Sequence, residues 1–219
     1  MLSEAKSRQE KNILLINKPS GITSYDVIRI LKKKLHPKKI GHTGTLDPLA
    51  SGLLIILIDD ATKQSEKFMG MGKRYRVEMQ LGVHTNTGDL DGKIIQKCNI
   101  PDLNRAKIEK VLRKFEGKIK QIPPIYSAIK YKGKKLYEYA RSGIKVKIKP
   151  RIVEIKKIKL IGFNGEIITM RVDCSKGTYI RTLVEDIAKK LKTAAAVCCL
   201  IREKIGNYSI NKAIKLEDL

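Results

Sequence analysis

Tryptophan is absent from this chain and phenylalanine occurs only three times, so stacking on a flat ligand falls to the eight tyrosines. The four cysteines, Cys98, Cys174, Cys198 and Cys199, show no C-x-x-C spacing, and the last two are adjacent. That is a poor zinc pattern, and it suits reduced, mostly buried thiols of a cytoplasmic protein. No apolar run approaches the roughly 18 residues of a membrane span. The polar N-terminus, Met1-Leu2-Ser3-Glu4-Ala5-Lys6, does not read as a secretory signal. Neither G-x-x-x-x-G-K-[ST] nor H-E-x-x-H is found, so no phosphate-loop or zincin chemistry is expected and no metal is called for. No coiled-coil seam or long exposed apolar helix is visible, and a monomer is expected.

Acidic residues are also scarce, at 22 against 46 lysines and arginines, which leaves a net charge of +24. A surface this basic attracts polyanions, with nucleic acid the leading partner. A lysine- and isoleucine-rich composition that merely solvates the surface is the competing explanation. With 42% apolar residues in 219, the chain can build the core of one domain, or of one domain with an inserted arm.

Periodicity predicts a strand over 12–16 that ends at Lys18-Pro19-Ser20-Gly21, then a helix capped by Thr23 or Ser24 that runs to about Leu35. An apolar strand is expected at 53–58, a short helix at 62–69 and an alternating strand from Arg74 to Val83. Thr85 to Gly92 is turn-rich. Pro101-Asp102 is expected to open a helix that runs to Phe115. Residues 121–149 differ in character: they carry Pro123-Pro124, four tyrosines and the lysines Lys130, Lys132, Lys134 and Lys135, and they read as a protruding arm. Two strands, near 151–161 and 166–174, are joined by a turn at Asn164-Gly165. Thr178 is expected to cap a helix to Leu191, ahead of a strand at 194–202. Without a strict βαβ rhythm, the fold class is α+β with a mixed, mostly antiparallel sheet flanked by helices.

Two segments carry chemistry. In Gly41-His42-Thr43-Gly44-Thr45-Leu46-Asp47-Pro48, one carboxylate sits in a stiff turn just before a buried strand. Asp47 is then either an active-site group or a turn residue bonded to its own backbone. Gly41-x-x-Gly44 is a weak match to a phosphate nest. In Cys174-Ser175-Lys176-Gly177-Thr178-Tyr179-Ile180-Arg181, an arginine falls in the first turn of a helix, where the macrodipole disfavours it. Arg181 either meets a buried anion there or extends into solvent.

The whole chain resembles the TruB family of tRNA pseudouridine synthases. The resemblance runs through Lys18-Pro19-x-Gly21-Ile22-Thr23-Ser24, the Asp47 turn, Lys73-Arg74-Tyr75-Arg76-Val77, Ile122-Pro123-Pro124-Ile125-Tyr126-Ser127-Ala128-Ile129-Lys130, Leu136-Tyr137-Glu138-Tyr139-Ala140-Arg141-x-Gly143 and the Arg181 segment. It implies a pseudouridine synthase fold with a thumb-like, RNA-gripping insertion at about 121–149. It implies Asp47 as the essential carboxylate, Tyr75 as the tyrosine that stacks on the target base, and Arg181 as the arginine that pairs with the aspartate. Substrate-binding roles fall to His42, Lys18, Leu200 and Tyr179, with Lys18 and Pro19 supporting the catalytic loop. RNA-binding roles fall to Lys130, Lys132, Lys134, Lys135 and Arg141. The implied substrate is the uridine at position 55 in the T loop of tRNA, and no cofactor is needed for an isomerisation.

The sequence departs from the family pattern at Thr85-Asn86-Thr87, where Thr-Asp-Thr is common. It departs again at Leu200-Ile201-Arg202, where Leu-Arg-Arg is usual, and at Lys192 to Ala195, which are usually Gly-rich. The chain stops at Asp218-Leu219, so the resemblance implies no C-terminal PUA domain, and the high charge is expected to stand in for its RNA contacts. A non-catalytic tRNA binder or RNA-folding chaperone on the same scaffold would need neither Asp47, Tyr75 nor Arg181. A metal-dependent nuclease would need more clustered acids than Asp89 and Asp91.

Overall fold

In the computed structural model, which describes residues 12–218, Thr23, one of the two caps expected, starts the first helix. The Thr23 side chain accepts a hydrogen bond from the Asp26 amide at 3.0 Å, and the Asp26 carboxylate accepts one from the Thr23 amide at 2.8 Å. This reciprocal box satisfies amides that the helix itself leaves without partners. Helix α1 (Ser24–Leu35) buries Val27, Ile28 and Leu31 in one cluster with Ile16, Leu54 and Ile56. It ends at His36, whose backbone is left-handed.

The principal strands are β1 (Ile13–Lys18), β2 (Ser51–Ile58), β3 (Lys73–Leu81), β4 (Gly117–Gln121), β5 (Arg151–Phe163), β6 (Ile167–Cys174), β7 (Ala195–Ile205) and β8 (Ile214–Lys215). The remaining helices are α2 (Ser65–Gly70), α3 (Arg105–Arg113), α4 (Leu136–Arg141) and α5 (Ile180–Lys190). Hydrogen bonding sets the strand order β8-β1-β2-β7-β3-β6-β5-β4. β1–β2, β4–β5 and β5–β6 are antiparallel, whereas β1–β8 and β2–β7 are parallel. The expected α+β fold with a mixed, mostly antiparallel sheet is therefore present.

By internal contacts the chain forms two units, one running to Arg76 and resuming at Leu200, the other comprising Val77–Cys199. In the first unit β2 is buried on both faces. Leu54 and Ile56 join the α1 cluster, while Leu53, Ile55 and Leu57 pack with Phe68 and Ile205. One edge of β2 pairs with β1. The other is divided: the short strand Ile40–His42 pairs with its C-terminal half, and Ile201 and Arg202 of β7 sit opposite Ser51 and Gly52 at its start. The chain therefore leaves the sheet at His42, turns through 43–50, and re-enters at the point where β7 begins to pair.

In the second unit α3 packs on β5, with Ile108 and Leu112 buried. The arm segment contains a two-residue hairpin (Lys130–Tyr131 with Lys134–Lys135) followed by α4, and residues 130–135 are all exposed.

Several boundaries differ from expectation. The helix expected at 62–69 is a 3-10 turn over Asp59–Gln64 followed by α2, because Asp59 turns left-handed and accepts the Lys39 amide at 2.8 Å. Helix α3 starts at Arg105, later than Pro101-Asp102, because the Asn104 side chain caps it by accepting the Lys107 amide at 2.9 Å. Thr178 does not cap α5: its hydroxyl donates to the Ser175 carbonyl, and Tyr179 occupies the cap position. A strand at Ile94–Lys97, exposed throughout, pairs with Val83–Thr85. Of the cysteines only Cys174 is fully buried, and all four are free thiols.

Candidate active site

The Asp47 turn is anchored by the Lys18-Pro19-Ser20-Gly21 segment, whose polar groups converge on it. The Lys18 ammonium, fully buried, donates to the carbonyls of Pro19 (2.8 Å), Ile22 (2.7 Å) and Pro48 (3.4 Å). The Gly21 amide also donates to Pro48 O at 2.9 Å, and the Ser20 hydroxyl to Leu49 O at 2.8 Å. From α1, buried Ser24 donates to Leu46 O (3.0 Å) and accepts the Leu46 amide (2.8 Å). A single hydroxyl thus satisfies both backbone groups of the residue before Asp47. Asp47 itself is half-buried, and its carbonyl accepts the Ala50 amide at 3.1 Å.

β7 supplies a third anchor. Arg202, 1% exposed, donates from Nε to Leu53 O (2.8 Å), from Nη2 to Gly44 O (2.9 Å) and from Nη1 to Thr45 O (3.3 Å). Sequence reasoning missed this residue. Its signals are a cation at the end of the apolar run Ala194 to Ile201 and its match to the last arginine of the family's Leu-Arg-Arg pattern, and neither assigns it a role.

Electrostatics ties these groups together. Burial pushes the Lys18 ammonium down from 10.5 to about 8; the Asp47 charge opposes this and the Arg202 charge adds to it. Burial, then the Arg202 charge, also holds the His42 imidazole below its ordinary value. His42 Nδ1 accepts the Gly44 amide at 3.4 Å, the bond expected of a neutral ring. A carboxylate in this turn therefore lies in the field of two buried cations, on a backbone with little freedom to move.

Among the other sequence-predicted residues, Tyr75 on β3 and Leu200 on β7 belong to the same unit, and both are buried. Tyr179, Arg181 and the arm residues belong to the second unit. Gln121 clamps Tyr179: its side chain accepts the Tyr179 amide (2.8 Å) and donates to the Tyr179 carbonyl (3.0 Å). Arg181 donates to Thr87 O (2.7 Å) and Tyr126 O (2.9 Å), and its Nε lies 3.7 Å from the Asp89 carboxylate. Both side chains of that ion pair are less than a tenth exposed. Of the two alternatives for Arg181, a buried anion or solvent, the structure shows the first, with Asp89 as the anion. Asp89, which also accepts the Thr87 hydroxyl at 2.6 Å, was not singled out for this role. Beside these carbonyls lies a cleft of about 450 Å³ lined by Thr87, Pro123, Tyr126, Thr182 and Glu185. Burial raises the Glu185 carboxyl above its ordinary value. On the arm, Tyr137 is flanked by Lys135 at 5.5 Å and Arg141 at 5.4 Å, and Lys132 lies 5.8 Å from the Tyr131 ring. Aromatic faces beside cations are what single-stranded nucleic acid stacks on.

Residues 32–180 match the model of the TruB family pseudouridylate synthase N-terminal domain. The chain belongs to the TruB family. It is 49% identical over 206 residues to the tRNA pseudouridine synthase B of Endomicrobium trichonymphae, covering 94% of this chain and 90% of that one. The tRNA pseudouridine synthase B of Aliivibrio fischeri is 42% identical, covering 100% of this chain and 69% of its own length. Among solved structures, a Cbf5-Nop10-Gar1 complex matches with a TM-score of 0.73 at 28% identity, covering 96% of this chain. An H/ACA RNP bound to a substrate RNA matches with a TM-score of 0.72 at 26% identity. This TruB chain spans about half the length of those two solved chains, 55% and 54%.

Proposed function

We propose that this TruB-family chain isomerises uridine to pseudouridine in tRNA, at position 55 of the T loop, with Asp47 as the reacting carboxylate. The observation that carries the reading is the Asp47 turn. A half-buried acid is fixed there by bonds from Lys18, Ser24 and Arg202, in a chain that shares nearly half its residues with a tRNA pseudouridine synthase B.

The reaction is internally balanced. The N1–C1′ bond breaks, the uracil turns, C5 bonds to C1′, and the C5 proton is released while N1 gains one. Asp47 must be ionised, either to attack C1′ or to act as base in a glycal route. The buried Lys18 ammonium, which interacts electrostatically with Asp47, favours that form. Tyr75 stacks on the everted base with its hydroxyl near the C5 proton. Arg181, held by Thr87, Tyr126 and Asp89, is assigned in this reading, on the family resemblance, to pair with the Asp47 carboxylate. Everting the nucleotide costs a few kcal/mol, roughly, which stacking and phosphate contacts offset. The arm residues Lys130, Lys132, Lys134, Lys135 and Arg141 supply those phosphate contacts. The enzyme acts as a monomer in the cytoplasm.

The test is to incubate the protein with an unmodified tRNA transcript and map pseudouridine at single-nucleotide resolution. Conversion confined to the T-loop uridine is expected. Tight binding without conversion would favour the non-catalytic binder instead.

A further inference from the structure

We propose that Arg202 is a positioning residue for catalysis: it pins Gly44 and Thr45 of the aspartate turn to Leu53 of β2 and keeps a fixed positive charge beside Asp47. The proposal rests on the reading of Asp47 as the reacting carboxylate.

Three observations carry it. First, the guanidinium is buried, yet its hydrogen bonds go to three backbone carbonyls. Among the described residues no carboxylate forms an ion pair with it. A buried cation is usually kept beside an anion, because the desolvation cost is otherwise high. Here carbonyl dipoles solvate the charge without cancelling it, so its field reaches the turn.

Second, the three carbonyls belong to two chain segments, 44–45 and 53, which lie on either side of Asp47. A planar fork with several fixed N–H directions can join them. A lysine, with one nitrogen, cannot reproduce that span. Joining the two stems of the turn closes it at its base and limits the travel of the carboxylate between them.

Third, the backbone is built for this approach. Gly52, opposite Arg202 in the parallel register, has φ +106°, and a Cβ there would lie 2.5 Å from Arg202 O and 2.7 Å from Arg202 N. Gly44 has φ +142°, and its Cβ position is 3.7 Å from Arg202 Nη1. The strand that carries Arg202 is therefore seated directly on the start of β2.

Among the described residues, the charged and titratable groups about the turn include Lys18 on β1, Asp26 on α1, His42 on the short strand, Asp47 and Arg202, with Lys215 and Glu217 lining a cleft beside Lys18 and Ser51. Burial is the main cause that lowers both His42 and Lys18, and the Arg202 charge adds to it in each case. The same field favours ionised Asp47.

The experiment compares wild type, Arg202→Lys and Arg202→Met in the full chain. It reads single-turnover pseudouridine formation against pH, tRNA affinity, and the His42 titration by NMR. Arg202→Met is expected to bind tRNA normally and to lose roughly 100-fold in turnover, the scale of an ångström-level misplacement. Its His42 is expected to titrate at higher pH, and the acid limb of its rate profile to move up with the loss of the stabilising charge. Arg202→Lys is expected to keep both titrations near wild type while recovering only part of the rate. A folded Arg202→Met with wild-type turnover overturns the proposal. So does a slow variant whose His42 titration and acid limb stay in place, since that describes a packing role alone. If Arg202→Met does not fold, Arg202→Lys decides: full wild-type rate from it refutes the clamp. Wild type that makes no pseudouridine, with His42 still shifted in Arg202→Met, would instead sink the function and leave the clamp standing.

Discussion

Replacing Gly52 by alanine probes the seam that holds the aspartate turn. The added methyl would sit 2.5 Å from the carbonyl oxygen of Arg202 and 2.7 Å from its nitrogen, and both are backbone atoms that cannot swing aside. The backbone at φ +106° adds a strain of about 1–2 kcal/mol for any L side chain. Overpacking against a fixed neighbour costs a further 1–3 kcal/mol, roughly. The sum, about 2–5 kcal/mol, corresponds to a fall in thermal midpoint of roughly 4–20 °C for a chain of this size. Circular dichroism melts and urea titrations with an unchanged m-value would read it. Gly41→Ala is the control: it lies just ahead of the same turn, with no positive φ and no atom within 4 Å of the added carbon. It should fall within about 0.5 kcal/mol of wild type. Should Gly52→Ala match that control, β7 is not seated tightly on β2 and the reasoning that fixes the turn from β7 fails.

Arg181→Leu would strip a donor from Thr87 O and Tyr126 O and leave Asp89 buried without its cation, costing about 3–5 kcal/mol and most of the turnover; near-normal turnover at neutral pH would exclude its pairing with Asp47. Lys18 binds its proton less tightly when folded, near 8, than when unfolded, near 10.5, so unfolding takes up a proton between those values. Wild-type stability should therefore gain on that of Lys18→Met as pH rises from about 8 to 10.5, with no such gain below 8; parallel urea-stability curves would contradict this. Removing Lys130, Lys132, Lys134 and Lys135 together should flatten the slope of log affinity against log salt by up to about 3–4 if all four reach phosphates; an unchanged slope would place the RNA elsewhere.

Much of the local structure was legible in the sequence. Thr23 with Asp26 three positions on is a helix-start signature, and the apolar spacing at 27, 28 and 31 gives the buried face of α1. The run at 53–58 reads as a strand buried on both faces, which β2 is. The 94–97 strand was not legible, because its side chains are all exposed and leave no alternation. The start of α3 was misjudged because Pro101 fits a first helical turn, while the deciding bond is a local one from Asn104. At the candidate site the Asp47 turn stood out as a stiff, unusual segment, whereas the Lys18 motif was marked only by the family resemblance. The groups that secure them did not stand out. Ser24 reaches Leu46 across 22 positions, and Arg202 reaches Gly44 across 158. Asp89 meets Arg181 only through the tertiary fold. Such bonds have no spacing rule, and an arginine after an apolar strand looks the same in sequence whether it faces solvent or a buried turn.

The central claim is that Asp47 does the chemistry while other groups hold the RNA. Measuring tRNA affinity and single-turnover pseudouridine formation side by side for wild type and Asp47→Asn tests it most directly. The account predicts that the variant binds tRNA as wild type does and forms no pseudouridine. Product from Asp47→Asn at a rate near wild type, or loss of binding together with turnover, would contradict it.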